Sequence, residues 1–409
     1  MIGPEFHIRD AVETDMELIR TLFYSEGFGT LTDPTGVRVA ITPDNVMYGA
    51  CRCEQGSDGS WNVRPIVVFD AVQGKGVGRA LLEDALRLHH DLKLVSRGSA
   101  EPFYLACGMQ RGTWDDIAPE YVEECNLCPD RDACAPQVYV AAPKEHVLTF
   151  LGTSSGCGVP AFFCHCPACE QARRDPSKRR GCTGVVVQSH GTTLIDTPPD
   201  LRQQLLRENV ESIDELFLTH AHYDHLGGFG ELEYYIRLCR GSALPFHAST
   251  YAMTEAFKEF EYMDDCFVQD PMQDFETRYV DGLAIQALPL NHAPGTFGYL
   301  MTTPEGRSCF YAPDTADLRP DVIEVLRGTN TIIMDATFWK NAGAHTTHHF
   351  VKDTVREGLE LLGAEKVILQ HLAPHMCDDG VNEIEEIYRY AGQFDGRVIV
   401  AEDGMKVEL

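Results

Sequence analysis

Apolar residues along the chain fall into two blocks that meet near residue 145. In the first, His7-Ile8-Arg9-Asp10-Ala11 reads as a short strand, and Asp15 to Phe23 has helical spacing. Pro65 to Phe69 is an apolar run suited to a buried strand. A glycine-rich turn follows it, and then helical spacing over Ala80 to His90. The second block opens with the strand Val147-Leu148-Thr149-Phe150-Leu151, closed by Gly152. Further strands are predicted over Val185–Val187, Thr193–Ile195, Glu215–Thr219, Leu283–Leu288, Thr331–Met334, Val367–Leu369 and Val398–Val400. Helices are predicted over Pro199–Glu208, Thr254–Phe260 and Val351–Leu362. Strands alternating with helices imply a layered α/β domain.

A chain of 409 residues exceeds one ordinary domain, so two or three are expected. A hydrophobic content of 44% and a charged content of 23% suit a folded chain. The pattern contains no apolar run of about 18 residues. The opening MIGPEFHIRD lacks an apolar signal core. A cytoplasmic protein without a membrane partner is therefore expected. The net charge is -28, from 34 basic against 62 acidic residues, which disfavours a nucleic-acid partner. An anionic substrate would need metal cations to offset that field. Fifteen cysteines, an odd number, argue for metal ligands and core thiols rather than a disulfide framework. Oligomeric state is unreadable from the pattern, and a homodimer stays open.

In the first block, Gln73-Gly74-Lys75-Gly76-Val77-Gly78-Arg79-Ala80 joins a strand to a helix. Backbone N–H groups at such a helix start favour an anion, and glycine lets a ligand approach the backbone. The motif resembles the acetyl-CoA pyrophosphate loop of the GNAT acetyltransferases. Glu101-Pro102-Phe103-Tyr104-Leu105-Ala106-Cys107-Gly108-Met109 resembles that family's later motif. The resemblance implies a GNAT-like α/β domain over residues 1–145, with acetyl-CoA held by Gln73, Gly74, Gly76 and Gly78 and with Tyr104 as general acid. Asp70 is the nearest acidic residue to the family's base position. Cys125, Cys128 and Cys134 offer three thiolates, one short of a tetrahedral metal site, and are either ligands or free thiols.

The densest chemistry is Thr219-His220-Ala221-His222-Tyr223-Asp224-His225-Leu226-Gly227-Gly228, after an apolar strand. Three imidazoles and a carboxylate within six residues suit two adjacent metals better than one. His220 and His222 would serve one ion, and Asp224 and His225 the other. His-x-His-x-Asp-His is the signature of the metallo-β-lactamase superfamily. Its later stations also occur in order, each at a strand end: Asn291-His292, Ala312-Pro313-Asp314-Thr315 and Gln370-His371. The resemblance implies that His292 joins the first ion, that His371 joins the second and that Asp314 bridges them. Asp196 matches the early aspartate that orients an imidazole; Asp335 is a weaker candidate for a similar role.

Within this superfamily, residues 146–409 resemble the PhnP phosphodiesterases of the carbon–phosphorus lyase pathway. The likeness runs through Phe150-Leu151-Gly152-Thr153, Gly158 to Cys169, Ala172-Arg173-Arg174, Arg179-Arg180 and Pro289 to Leu300. It implies an αβ/βα sandwich with two divalent metals, Mn²⁺ or Zn²⁺, and a phosphoribosyl 1,2-cyclic phosphate as the small phosphorylated sugar substrate. Asp224, Asp314 and His349 would then be catalytic, His349 protonating the leaving alkoxide; His348 and His345 lie beside it. Cys164, Cys166 and Cys169 would hold a structural zinc closed by His375. His375 lies four residues after His371 where the family has three, which leaves His165 as a fallback. Arg173 to Arg180 is either a solvated face or a contact for a second phosphate. A tRNase Z-like nuclease, a PqqB-like protein and a non-catalytic regulator are the alternatives.

Overall fold

The computed structural model describes residues 6–25, 27–28, 31–89, 91–142, 145–340, 347–376 and 380–409. The chain divides into two compact units, Met1–Lys144 and Glu145–Leu409.

The first unit is a seven-stranded sheet of β1 (His7–Asp10), β2 (Val37–Ile41), β3 (Met47–Gln55), β4 (Trp61–Val68), β5 (Lys93–Ser96), β6 (Met109–Arg111) and β7 (Gln137–Ala141). The order is β1-β2-β3-β4-β5-β7-β6. β4 and β5 run parallel and meet at the register pair Asn62↔Lys93. Alternate residues of a strand face opposite sides. Cys51 accordingly packs with Leu81, Leu82 and Ala85 of the helix Val77–Leu88, while Ala50 packs with Ile19, Leu22 and Phe23 of the helix Met16–Ser25. Strands such as β3, MYGACRCEQ, carry polar residues and glycine, which hid them in the apolar pattern.

The second unit stacks two seven-stranded sheets. One contains β8 (Val147–Gly152), β9 (Gly184–Gln188), β10 (Thr192–Ile195), β11 (Glu215–Phe217), β12 (Leu244–Ser249) and β13 (Phe267–Met272). The other contains β14 (Thr277–Val280), β15 (Leu283–Pro289), β16 (Phe297–Thr302), β17 (Ser308–Ala312), β18 (Thr331–Asp335), β19 (Lys366–Gln370) and β20 (Val398–Val400). The last strand, β21 (Lys406–Glu408), returns to pair with β8. The orders are β13-β12-β11-β10-β9-β8-β21 and β14-β15-β16-β17-β18-β19-β20.

Val185, Val187 and Phe217 meet Tyr299, Tyr311, Ile333 and Ile368 between the sheets. Val186, on the opposite face of β9, packs with Leu201, Phe229 and Ala252 on the helical side of its sheet. Val351 and Val355 cover the outer face of the other sheet. Burial on both faces explains the continuous apolar runs. The predicted helix Val351–Leu362 is α-helical over Val351–Arg356 and π-helical over Glu357–Leu361, with Leu362 N–H donating to Glu357 O at 2.9 Å. No helix among the described residues is long and apolar enough to cross a membrane.

Candidate metal centre

The C-terminal ends of parallel strands in an α/β fold gather loops at one edge, where ligands bind. β10 and β11 are parallel, as are β17, β18 and β19. Asp196 follows β10, the His220–His225 motif follows β11, Asp314 follows β17, Asp335 ends β18 and His371 follows β19. Asp196 (φ 69°) and His371 (φ 59°) sit in left-handed backbone. Such conformations cost about 1–3 kcal/mol each and collect at functional sites.

These loops bring together donor groups that share Asp314. His220, His222, His292 and Asp314 form one, and Asp224, His225, Asp314 and His371 form another; Asp314, Asp335, His348 and His371 form a third, and the donor atoms of each lie within 4.8 Å of one another. Asp314 belongs to each. Its Oδ2 lies 3.4 Å from Nε2 of His220, 3.4 Å from that of His225 and 3.3 Å from that of His292; its Oδ1 lies 3.0 Å from Nε2 of His371. Asp224 Oδ2 lies 3.4 Å from His371 Nε2 and 3.6 Å from His225 Nε2.

The remaining ring nitrogens are held from behind. His225 Nδ1 contacts Asp196 Oδ2 at 2.8 Å, and Asp196 itself accepts the Thr219 N–H at 2.8 Å. Thr337 Oγ1 lies 2.9 Å from His371 Nδ1, Thr219 Oγ1 lies 3.1 Å from His220 Nδ1, and Thr347 O lies 3.0 Å from His292 Nδ1. Contacts of this kind fix the tautomer of a metal-binding imidazole.

The donor chemistry fits cations. His222 Nδ1 is 3.0 Å from Nε2 of both His220 and His292, and one ring proton can bridge only one of those contacts. His225 Nε2 is buried without a well-formed hydrogen bond among the described residues. Burial, reinforced by charge on His225, lowers His220 to about 3; burial likewise lowers His222 and His292. Burial also opposes charge on His371, but Asp314 and Asp224 outweigh it and lift the ring to about 10. His225 is driven up against its burial by Asp314, Asp224 and Asp196. Asp224 and Asp314 are buried too, yet these rings hold both carboxyls well below their ordinary range. Protons on His225 and His371 thus occupy the electrostatic role that divalent ions would take.

His349 does not face this centre, contrary to expectation. It is buried, with Nε2 3.1 Å from Glu357 Oε2. Its neighbour His348 takes the position instead. His348 Nδ1 lies 2.7 Å from Asp335 Oδ2, and its ring stacks on His371 at 5.3 Å. Of these two adjacent histidines only His348 is turned toward the centre. Asp335 also accepts from Thr337 N–H at 2.9 Å and from Thr315 N–H at 3.1 Å. It fills its acceptor sites in orienting His348. Sequence reasoning gave this role to His349; no local signal separates the two neighbours, whose partners Asp335 and Glu357 meet them only in the fold.

Cys164, Cys166, Cys169 and His375 form a second kind of donor group. Cys169 Sγ lies 3.3 Å from His375 Nδ1 and accepts the Ala161 N–H at 3.3 Å. Burial and the adjoining thiols push Cys169 up to about 12, so its thiolate needs a cation beside it. His165 points into solvent toward Glu170 at 2.9 Å and takes no part. The basic stretch is a solvated face over residues 173–179, and only Arg180 is buried. Arg173 donates to Ala161 O at 3.0 Å, and Arg180 donates to Thr153 Oγ1 at 2.8 Å and Tyr388 OH at 2.9 Å. Cys125, Cys128 and Cys134 form no closely set donor group among the described residues.

In the first unit, Gly74 (φ 73°) and Gly76 (φ 89°) close the turn between β4 and the helix Val77–Leu88, a backbone only glycine adopts freely. Gln73 spends its amide on Val68 O at 3.1 Å and Asp70 Oδ1 at 2.8 Å. A Cβ at Gly78 would meet the Phe103 ring at 3.4 Å, so the turn adjoins the helix Glu101–Ala106. Tyr104 is buried there, stacked on Tyr139 at 5.1 Å and pushed up to about 12 by burial.

Residues 192–372 match the model of the Beta-lactamase superfamily domain. The second unit is a metallo-β-lactamase superfamily domain. This superfamily domain is similar to a solved diphosphatase from the PhnP family, with a TM-score of 0.55 and 26% identity over 65% of this chain and 97% of that one. It is also similar to coenzyme PQQ synthesis protein B of Cupriavidus necator, 24% identical over 64% of this chain and 99% of that protein. An octanoyltransferase of Porphyromonas gingivalis is 24% identical over 55% of this chain, a match that spans only 45% of that relative.

Proposed function

We propose that the metallo-β-lactamase domain is a binuclear metal-dependent phosphodiesterase. Its proposed substrate is a phosphoribosyl 1,2-cyclic phosphate formed during phosphonate breakdown. The observation that carries this reading is Asp314, shared by two four-residue donor groups. His220, His222, His292 and Asp314 would hold one ion, and Asp224, His225, Asp314 and His371 the other. Imidazole with carboxylate suits Mn²⁺ or Zn²⁺. Such a pair of ions, when bound, supplies Lewis acidity, offsets phosphate charge and lowers the pKa of water.

The protein's own part is positioning and proton transfer. Asp335 holds Nδ1 of His348, and the ring so oriented would protonate the departing alkoxide. Ring opening of a cyclic diester leaves a monoester, which the same site releases or attacks again. The thiolate group with His375 would hold a structural zinc that orders the loop beside His371. For the first unit, the glycine turn and Tyr104 support an acyl-CoA-dependent N-acetyltransferase.

The kinship to a PQQ synthesis protein favours a non-hydrolytic reading as the rival. A nuclease of the tRNase Z kind is opposed by the charge of -28. Turnover of bis(p-nitrophenyl) phosphate, the cyclic phosphate and a tRNA precursor separates the three. The phosphodiesterase reading expects metal-dependent cleavage of the first two. His348→Gln should lower turnover of a diester with an alkyl leaving group by about a hundredfold or more and spare an aryl one. Absence of metal-dependent cleavage of either diester sinks the reading.

A further inference from the structure

His349 and Glu357 form a buried contact, an ion pair when the ring is protonated, that the reaction itself does not use. His349 is 4% exposed and Glu357 is 8% exposed, and their Nε2 and Oε2 atoms lie 3.1 Å apart, close enough for an ion pair but without well-formed hydrogen-bond geometry. Burial works against charge on His349, but Glu357, then Asp335 and Asp317, raise it. Two desolvated ionisable groups are a weak source of stability, and their best attested role is to specify one arrangement over another.

There are two arrangements to choose between. Phe338 N–H donates to His349 O at 3.2 Å and Val351 N–H donates to Phe338 O at 2.9 Å, alongside a bridge between Phe338 and Phe350. These bonds set the path of the backbone. A slip of one residue in this pairing would change which of the two adjacent histidines it turns toward the metal centre. Such a slip would exchange His348 with His349, and the two side chains are chemically identical. Only their partners differ. Asp335 stands on the side of the metal centre, 2.7 Å from His348. Glu357 stands on the inner side, as the first residue of the π-helical turn Glu357–Leu361. Such turns recur at functional positions.

We propose that the Glu357–His349 pair is a register lock that keeps His348, and not His349, facing the metal centre. Glu357 and His349 are then positioning residues for the proton donor. The lock rests on the phosphodiesterase reading only for what His348 does, not for where it points.

The test uses the full chain, zinc-loaded and labelled with ¹⁵N-histidine. Long-range ¹⁵N–¹H spectra report the tautomer of each ring, and loss of signals in His348→Gln assigns His348. The wild type is expected to show His348 protonated at Nδ1. Glu357→Gln is expected to shift or broaden those signals, and Glu357→Asp, which keeps the charge with a shorter reach, to shift them less. Glu357→Gln should also lower kcat on an alkyl diester about 10- to 100-fold. KM and aryl-diester turnover should hold. The same change should cost nothing further in the His348→Gln background. Unchanged His348 signals in Glu357→Gln, or in Glu357→Asp should the first variant not fold, overturn the lock whatever the turnover. Shifted signals in a protein whose wild type cleaves no diester uphold the lock and discard the phosphodiesterase reading.

Discussion

Replacing Asp314 with asparagine tests the shared carboxylate directly. The change keeps shape and removes one charge at the junction of both donor groups. Asp314 is 2% exposed, so water screens little of the loss. Its Oδ1 stands 3.0 Å from His371 Nε2. Unit charges at that separation interact by roughly 5.5 kcal/mol at an effective dielectric of about 20. Half of one such interaction, about 2.7 kcal/mol, already corresponds to about a hundredfold in a binding constant. Because the carboxylate serves both groups, both ions should weaken together, whereas His222→Gln should weaken only one. Plasma emission analysis after dialysis at limiting free metal reads this out. The expected wild-type content is two ions at the shared groups and one at the thiolate group. Asp314→Asn should retain only the thiolate-bound ion, and His222→Gln should retain that ion and one other. Full metal content with wild-type diester turnover in Asp314→Asn would refute the argument.

Loading zinc at pH 7 into the two groups that share Asp314, in protein that keeps its thiolate-bound zinc, should release about two protons, because His225 and His371, the latter at about 10, are charged beforehand. Calorimetry in buffers of different ionisation enthalpy measures this. Both folded values lie above the unfolded value of about 6.5, so their stabilising contribution is complete below that pH and is lost as pH rises toward about 10. The melting temperature of metal-free protein should therefore fall across that window, and zinc loading should suppress the fall. Gly156→Ala would place a Cβ 3.0 Å from Asp224 Cβ, Cγ and Oδ2. It should lower diester turnover about tenfold or more by displacing that carboxylate, with the thiolate-bound zinc retained. Cys169→Ser should remove the chelator-resistant zinc and lower the melting temperature by roughly 5 °C or more; unchanged zinc content would show that the thiolates bind no metal.

The most legible part of the site was the His220 to His225 run, because its donors lie within six residues and their convergence needs no distant partner. The sandwiched strands were legible for a related reason. Val185 to Val187 meet apolar neighbours on both faces, so the chain itself is apolar at every position. β12, β13 and β16 left weaker traces, because their places depend on pairing with strands far along the chain.

The side-chain directions in irregular segments were beyond local pattern altogether. His375 reaches Cys169 from the short 3₁₀ turn Pro374–Met376, which accommodates the extra residue after His371. Arg173 and Arg180 spend donors on backbone and side-chain oxygens that folding brings to them, so buried Arg180 is internal bracing while residues 173–179 remain a solvated face. Which of His348 and His349 turns outward is set by Asp335 at the end of β18 and Glu357 on the following helix. The sequence by itself determined which ligand types are present and the strand ends that carry them, because those depend on local composition and period. Tertiary structure decided which side each imidazole faces, because that depends on carboxylates brought near only when β18, β19 and their helix have packed together.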